Sequence, residues 1–301
     1  MATAKQRLRS GRAPYLFVLP FIVTFSIFGL YPIVKSLYLA FFVTAGPTSK
    51  TFAGLGNFTF LLSDPIFWKA ARNTAVFALA SVCLQLPLSL FLAVLLHERA
   101  LRGRNAFRLA IFAPRLVGMV FVGVLFSLIF NARNGLLNVA LEYFFGLPRT
   151  IEWLNQSSLI MPALILTALW MYVGFNMIYF LAALQAVDQT LYEAAMVDGA
   201  NAWQRFWHVT LPGIKPVAVF VVVLSTIGSF QLFELPYIML GNGPGPDDAG
   251  LTIVMYLYQN GFISGDLGYA STIGWTLAIG VLLLSLVQMR LSGTLKRGGG
   301  Q

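Results

Sequence analysis

Apolar residues fall in six long runs along this chain, roughly 15–42, 73–96, 107–130, 158–185, 216–240 and 268–290, with shorter polar segments between them. A helix rising 1.5 Å per residue needs about 20 apolar residues to cross the hydrocarbon core of a bilayer. Each run meets that length. Backbone groups in lipid have no water to bond, so each run is predicted to be a membrane-spanning helix. Pro20, Pro32, Pro87, Pro114, Pro162 and Pro236 fall inside or near the ends of these runs. Each removes a backbone donor and is expected to bend its helix. The glycine- and proline-rich segment 241–248 should reverse the chain outside the bilayer. No tandem repeat of solenoid length is present.

Composition fixes the class. Of 301 residues 58% are hydrophobic and 10% charged, with a mean hydropathy of +0.76, too apolar and too poor in charge to cover a soluble globule. The formal charge of +9 raises nucleic acid as a partner, but many of the cations flank apolar runs, where they set orientation and meet anionic headgroups; no nucleic acid is expected. Lys5, Arg7, Arg9 and Arg12 precede the first run, Arg99, Arg102 and Arg104 fill the 97–106 loop, and Arg290, Lys296 and Arg297 close the chain, whereas 241–267 has no basic residue. Both termini and the loops 97–106 and 186–215 are therefore expected in the cytoplasm, with Lys50, Lys69 and Arg72 narrowing the bias. The first run resembles a signal peptide after its basic start, but it continues to Phe42 without a small-residue cleavage site and is expected to stay as a span. Tails at 1–14 and 292–301 thus flank one membrane domain, 15–291. The single cysteine, Cys83, excludes an intrachain disulfide framework, and His97 and His208 lie too far apart to suggest a metal site.

The polar island at 188–215 is the most informative stretch. Thr190 and Glu193 have capping-box spacing, which predicts a helix start there. Glu193, Ala194, Ala195 and Met196 support about two turns, and Gly199 offers the left-handed conformation that ends them. Asn201 and Gln204 permit a second capped start, after which Trp203, Phe206, Trp207 and Leu211 recur at helical spacing until Pro212, which is expected to stop the pattern. Periodicity alone reads this pair as interfacial helices with aromatic rings at the headgroups. The small surface Ala194–Ala195 and Gly199–Ala200 also admits another protein closely, and the two readings are compatible.

The run Glu193-Ala-Ala, three residues, Gly199, nine residues, Val209, Thr210, Leu211, Pro212 resembles the EAA loop of ATP-binding-cassette importer permeases, which commonly carry isoleucine where this chain has Val209. Tyr15-Leu-Phe-Val-Leu-Pro20, Tyr31-Pro32, Gly174-Phe-Asn-Met177, Ile227-Gly-Ser-Phe230, Gly241-Asn-Gly-Pro-Gly245 and Leu267-Gly-Tyr-Ala-Ser271 are similar to the first permease subunit of carbohydrate importers, a group that includes maltose, lactose and glycerol-phosphate permeases. The resemblance implies an all-α integral membrane fold of the type I importer kind in a bacterial or archaeal cytoplasmic membrane, moving a sugar or related polyol by alternating access. It implies that Glu193, Ala194, Ala195, Asp198, Gly199 and Ala200 form a coupling surface seated in a separate ATPase. The implied partners are a second permease, two copies of that ATPase, a solute-binding protein outside and membrane lipid. No Gly-x-x-x-x-Gly-Lys-Ser/Thr phosphate loop occurs here, so ATP and Mg are expected on the ATPase and no cofactor or metal on this chain.

Polar residues inside the runs are weighed against packing. Ser225 and Ser229 share a helix face and are able to bond sugar hydroxyls, or equally to bond a carbonyl one turn back. Resemblance to maltose-type permeases, whose equivalent face contacts substrate, supports the path reading, and the same choice applies to Gly174 and Asn176. Arg115, about 12 Å into its run, is expected to snorkel inward, and Glu234 to meet water at the outer end. Lys35 reaches outer headgroups, Gln85 is an interhelical hydrogen-bond partner, and Trp153 and Trp170 are interface aromatics. An ion-coupled secondary transporter would show more membrane carboxylates than the nearly solitary Glu234, or an inverted repeat. An intramembrane enzyme would need paired carboxylates, a metal cluster or an activated nucleophile, none of which the sequence brings together. A permease for a solute other than a sugar remains the nearest alternative.

Overall fold

The computed structural model describes residues 4–46, 49–97, 102–148 and 150–293; Arg99, Lys296 and Arg297, counted above, lie outside them. The chain divides into two units, 1–64 with 257–276 and 65–256 with 277–301.

In the first unit, helix α1 runs unbroken over 4–39, so the expected tail at 1–14 is helical from Ala4 and the span ends three residues before Phe42. Its span, Tyr15–Leu39, buries none of its residues, and Phe17 and Phe28 are more than three-quarters exposed, the surface of a helix that faces lipid. Two short strands follow, β1 (Phe42–Ala45) and β2 (Ser49–Phe52), paired antiparallel with Phe42 opposite Phe52, and then α2 (Gly56–Ser63). This hairpin is the one described departure from the all-α expectation. Asn57 pins it to the end of α1, donating to Ala40 O at 3.0 Å and Phe42 O at 2.9 Å.

The second unit holds α3 (Pro65–His97), α4 (Arg104–Leu116), α5 (Met119–Ile129), α6 (Leu136–Phe145), α7 (Ser157–Ala186), α8 (Gln189–Val197), α9 (Ala202–Phe230) and α10 (Glu234–Met239). Helix α11 (253–263) and α12 (Leu267–Leu291) cross from one unit to the other. Helix α7 is the axis of this unit. Its first half packs with Phe77, Val122, Phe126 and Leu235, its second half with Leu86, Ala93, Ile214 and Val221. Ser89 Oγ crosses from α3 to Val173 O of α7 at 2.9 Å, one turn beyond the buried Gln85 that was expected to make such a bond.

Two of the six predicted spans have a different shape from the apolar runs. The third is two helices meeting at 98°, because Val117 and Gly118 leave the helical region (ψ 131° and 142°) just after Pro114. The fifth starts well before 216. Its helix runs without interruption from Ala202 to Phe230, so Pro212 does not stop the pattern. The reason is a π-helical turn at Phe206–Thr210, with Leu211 N bonded five residues back to Phe206 O, which widens the helix ahead of the proline ring. The same device recurs at Ser26–Leu30 before Pro32 and at Ser81–Gln85 before Pro87. The fifth span then ends at 231–233, where Pro236 has no N–H to offer Leu232 O. The buried Thr252 hydroxyl bonds that carbonyl instead at 2.7 Å.

Gly174 locks the broken third span against α7. A Cβ at this position would lie 1.9 Å from the Ile111 carbonyl oxygen, so the two backbones meet there. Gly174→Ala is expected to lower the thermal midpoint of the detergent-purified protein by an amount equivalent to about 1–3 kcal/mol, the usual cost of overpacking. An unchanged midpoint by fluorescence-detected unfolding would show that this contact does not hold α4.

Candidate functional site

The candidate coupling loop begins where α7 ends. Val187 and Asp188 are extended, and the Asp188 carboxylate accepts from Thr190 N at 2.9 Å, capping α8. This corrects the expected Thr190–Glu193 capping box: the cap lies two residues earlier, at Asp188, and Glu193 is left exposed with no hydrogen bond or ion pair among the described residues. Sequence did carry the signal, an aspartate just before the helix, but the threonine–glutamate spacing competed with it.

The other end of α8 is as anticipated. Gly199 has φ +78°, Gly199 N bonds Met196 O at 3.1 Å, and Ala200 N bonds Ala195 O at 2.9 Å, the paired bonds of a Schellman stop. Two residues later the Asn201 box forms in full, with Asn201 Oδ1 accepting from Gln204 N at 2.9 Å and Gln204 Oε1 from Asn201 N at 2.8 Å. Tyr192 OH and Thr210 Oγ1 meet at 3.0 Å and tie α8 to the π turn of α9, a contact that nothing in the sequence marked. Ala194, Met196, Val197, Asp198 and Gly199 are exposed, Val197 at 88%, while Ala195 and Ala200 are half-buried. Trp203, Phe206 and Trp207 cluster with ring centroids 5.6–6.1 Å apart.

Behind α8 lies a cavity of about 980 Å³, lined by His97, Arg104, Arg108, Tyr192, Glu193 and Arg205 among others. Arg108 Nη2 donates to Leu96 O at 2.6 Å and so closes the last turn of α3. The thermodynamics of the loop are tied to Asp188, whose carboxyl is held below its ordinary value by the hydrogen bonds from Thr190.

Of the candidate path residues, Gly174, Asn176 and Ser229 are buried and Ser225 is half-buried. Ser229 Oγ donates to Ser225 O at 2.8 Å, Thr226 bonds Val222 O and Gln288 Nε2, and Asn176 is 3% exposed. Glu234 is exposed, as expected of a carboxylate that meets water. Arg115 does not snorkel inward: its guanidinium lies over the rings of Tyr172 and Phe175 in the middle of α7. Trp153 does more than sit at an interface, donating to the buried Asn138 Oδ1 at 2.7 Å. No group of three or more metal-ligating side chains occurs among the described residues.

The described residues thus include one broken span and an exposed short helix, capped at both ends and hydrogen-bonded to the start of the fifth span. The family model for the binding-protein-dependent transport system inner membrane component matches residues 85–298. The arabinooligosaccharides transport system permease protein AraP of Bacillus subtilis is 40% identical over 95% of this chain and 90% of its own length. The lactose transport system permease protein LacF of Rhizobium radiobacter is 36% identical over 91% of this chain and 92% of its own. One chain in the crystal structure of a bacterial ABC transporter involved in the import of the acidic polysaccharide alginate superposes with a TM-score of 0.84 at 25% identity, covering 98% of this chain and 99% of that one. The chain belongs to the family of binding-protein-dependent transport system inner membrane components. It is a permease subunit of an ABC importer, and its mostly helical fold has five helices long and apolar enough to span a membrane, six with the bent pair α4–α5 counted as one span.

Because the lowered carboxyl belongs to the folded state, the Asp188 cap is intact above the ordinary carboxylate value of 3.8 and is lost as pH falls through its lower folded value. Asp188→Ala is therefore expected to speed amide hydrogen exchange in 189–197 several-fold at pH 7, while Asp188→Asn, which also caps, stays near wild type down to pH 3. Equal exchange in all three proteins would remove Asp188 from the cap.

Proposed function

We propose that this subunit imports a sugar or a related polyol into the cytoplasm by alternating access, driven by a separate ATPase that grips α8. Support for the solute class comes from the relatives, which are described as transporting arabinooligosaccharides and lactose. Support for the coupling role rests on one observation: α8 is stopped and capped at its ends and tied by the Tyr192–Thr210 hydrogen bond to α9, which runs as one helix from 202 to 230. A force applied to α8 therefore moves a span rather than deforming a loop.

In this reading Glu193, Ala194, Ala195, Asp198, Gly199 and Ala200 meet the ATPase. Ala194 and Gly199 allow close approach, and Glu193, exposed and without a hydrogen bond or ion pair among the described residues, supplies the polar contact. ATP and Mg are held by the ATPase, since this chain lacks a phosphate loop. Two ATPase copies, a second permease with its own loop and an outside solute-binding protein complete the assembly, which accounts for the uncovered Val197 and Met196. Both termini lie in the cytoplasm, following the basic residues. The packed state of Ser225, Ser229, Gly174 and Asn176 moves the proposed solute path toward the break in the third span.

The test uses the chain co-purified with its ATPase and second permease in nanodiscs. Gly199 has open space around it, so a side chain there meets no obstacle and only the left-handed φ resists substitution. Gly199→Val is expected to abolish solute-stimulated ATP hydrolysis, at least tenfold, with membrane insertion intact, while Gly199→Asn retains most of it. A cysteine introduced at Glu193 should crosslink to the ATPase. Undiminished coupling in Gly199→Val, together with no crosslink, would overturn the assignment.

A further inference from the structure

Arg115 sits in the last turn of α4, at the break of the third span. Its guanidinium carbon lies 5.1 Å from the ring centroid of Tyr172 and 5.2 Å from that of Phe175. Those rings are near the midpoint of α7, a 30-residue helix about 45 Å long, so the charge is held close to mid-membrane depth. Beyond the two ring contacts, the guanidinium has no hydrogen bond or ion pair among the described residues. A guanidinium carries five N–H donors and keeps its charge at any accessible pH. Five unfilled donors in hydrocarbon are not tolerated, so the edge of this group has to meet water or a solute.

The backbone gives a second, independent indication. Val117 and Gly118 are extended, and non-helical backbone at membrane depth survives only where it is covered by protein or lines a water-filled cavity. Discontinuous helices at the midplane are where solute sites form in transporters. Glu234, the first residue of α10, is the acid whose field reaches Tyr172, but it is exposed and makes no ion pair with Arg115. The positive charge is left without an anion of its own.

We propose that Arg115 is a charge-selecting contact of the transport path: its planar guanidinium, held against Tyr172 and Phe175, takes the carboxylate of an acidic sugar on its edge in preference to a neutral sugar of the same length. The fork geometry matches a carboxylate with two parallel hydrogen bonds, which a hydroxyl does not. The inference rests on the reading of the chain as a sugar permease and names the class of sugar.

Two measurements on the nanodisc complex test it. In the first, Arg115→Cys is made in a Cys83→Ser background, since Cys83 is the chain's other thiol and is exposed. A membrane-impermeant thiol reagent is expected to label the introduced thiol, read by peptide mapping, in at least one nucleotide state. Absence of labelling in every state overturns the inference whatever the complex transports. In the second, binding of a matched pair, a neutral oligosaccharide and its uronate-terminated counterpart, is measured by calorimetry without the solute-binding protein. Wild type should bind the uronate form at least tenfold tighter, Arg115→Gln should bring the two within about twofold, and Arg115→Lys should keep part of the preference. Equal loss for both sugars marks a structural role and overturns the proposal, as does a wild type that binds neutral sugars alone, which leaves the sugar reading standing. A wild type that binds neither sugar refutes both.

Discussion

Everything in this chain depends on the rule that a peptide group in hydrocarbon needs a partner inside the protein. Six runs become helices for that reason, and each place where a helix fails is closed by something specific. At 231–233 the Leu232 carbonyl is taken by the Thr252 hydroxyl, and Thr74 Oγ1 in turn accepts from Ile253 N at 3.0 Å at the start of α11. Both threonines are fully buried, so two segments far apart in sequence share one hydrogen-bond chain. Left unpaired, each such buried group would cost about 1–3 kcal/mol, enough to make the break untenable. Prolines are handled differently. Three of them follow a π turn that moves the hydrogen-bond ladder out of the way of the ring, so the helix bends without ending.

The same economy of backbone partners makes the loop at 188–215 stiff. A nine-residue helix is far too short to be stable in water alone. Here its first turn is satisfied by Asp188 and its last by the bonds around Gly199, and the next helix begins within two residues on the Asn201 box. Tyr192 and Thr210 then fix the angle between the two. Only Asp198–Asn201 separate α8 from α9, and Gly199 N, Ala200 N and Asn201 N are all hydrogen-bonded. A loop that had only to connect two spans would need none of this, and its apolar Val197 would not stand 88% exposed. Local chemistry therefore sets a mechanical property, a short helix capped at both ends and bonded to the start of a span.

What the sequence reveals and what it hides divide along the range of the interactions. The number of spans is legible because length and apolarity act within one segment, and the Gly199 stop and the Asn201 box are legible because their partners lie within five residues. The ends of the third and fifth spans are not, since the break after Phe230 depends on Thr252, twenty residues beyond Leu232. Pro212 misleads because a proline reads as a stop unless the π turn ahead of it is foreseen. Thr190 and Asp188 both offered a cap, and only the extended backbone at 187–188 decides between them. Gly174 invites a functional reading through its family-like setting, yet its lack of a side chain serves the crossing with Ile111. Arg115 is visible as an anomaly in an apolar run, but its ring partners lie on another helix, so the direction its side chain takes could not be read from its own segment.

Glu193 and Arg115 pose the same physical problem at two dielectric extremes. An exposed carboxylate with no partner costs little, because water solvates it, and it gains a partner cheaply when another protein arrives. An arginine at the bilayer midplane is different. Insertion alone costs about 2.5–3.5 kcal/mol by the mildest scale, and ring contacts return about 0.5–2 kcal/mol. Two such contacts offset the mildest estimate only if both are strong, and they leave the N–H edge unsatisfied. The remaining stabilisation has to come from water in the path or from a negative group passing through it. Burying this residue in a dry helix interface would demand a carboxylate within ion-pair distance, and Glu234 is not placed there. The proposed role of Arg115 supplies what such an interface lacks, a wet or anionic neighbour beside the break at 117–118.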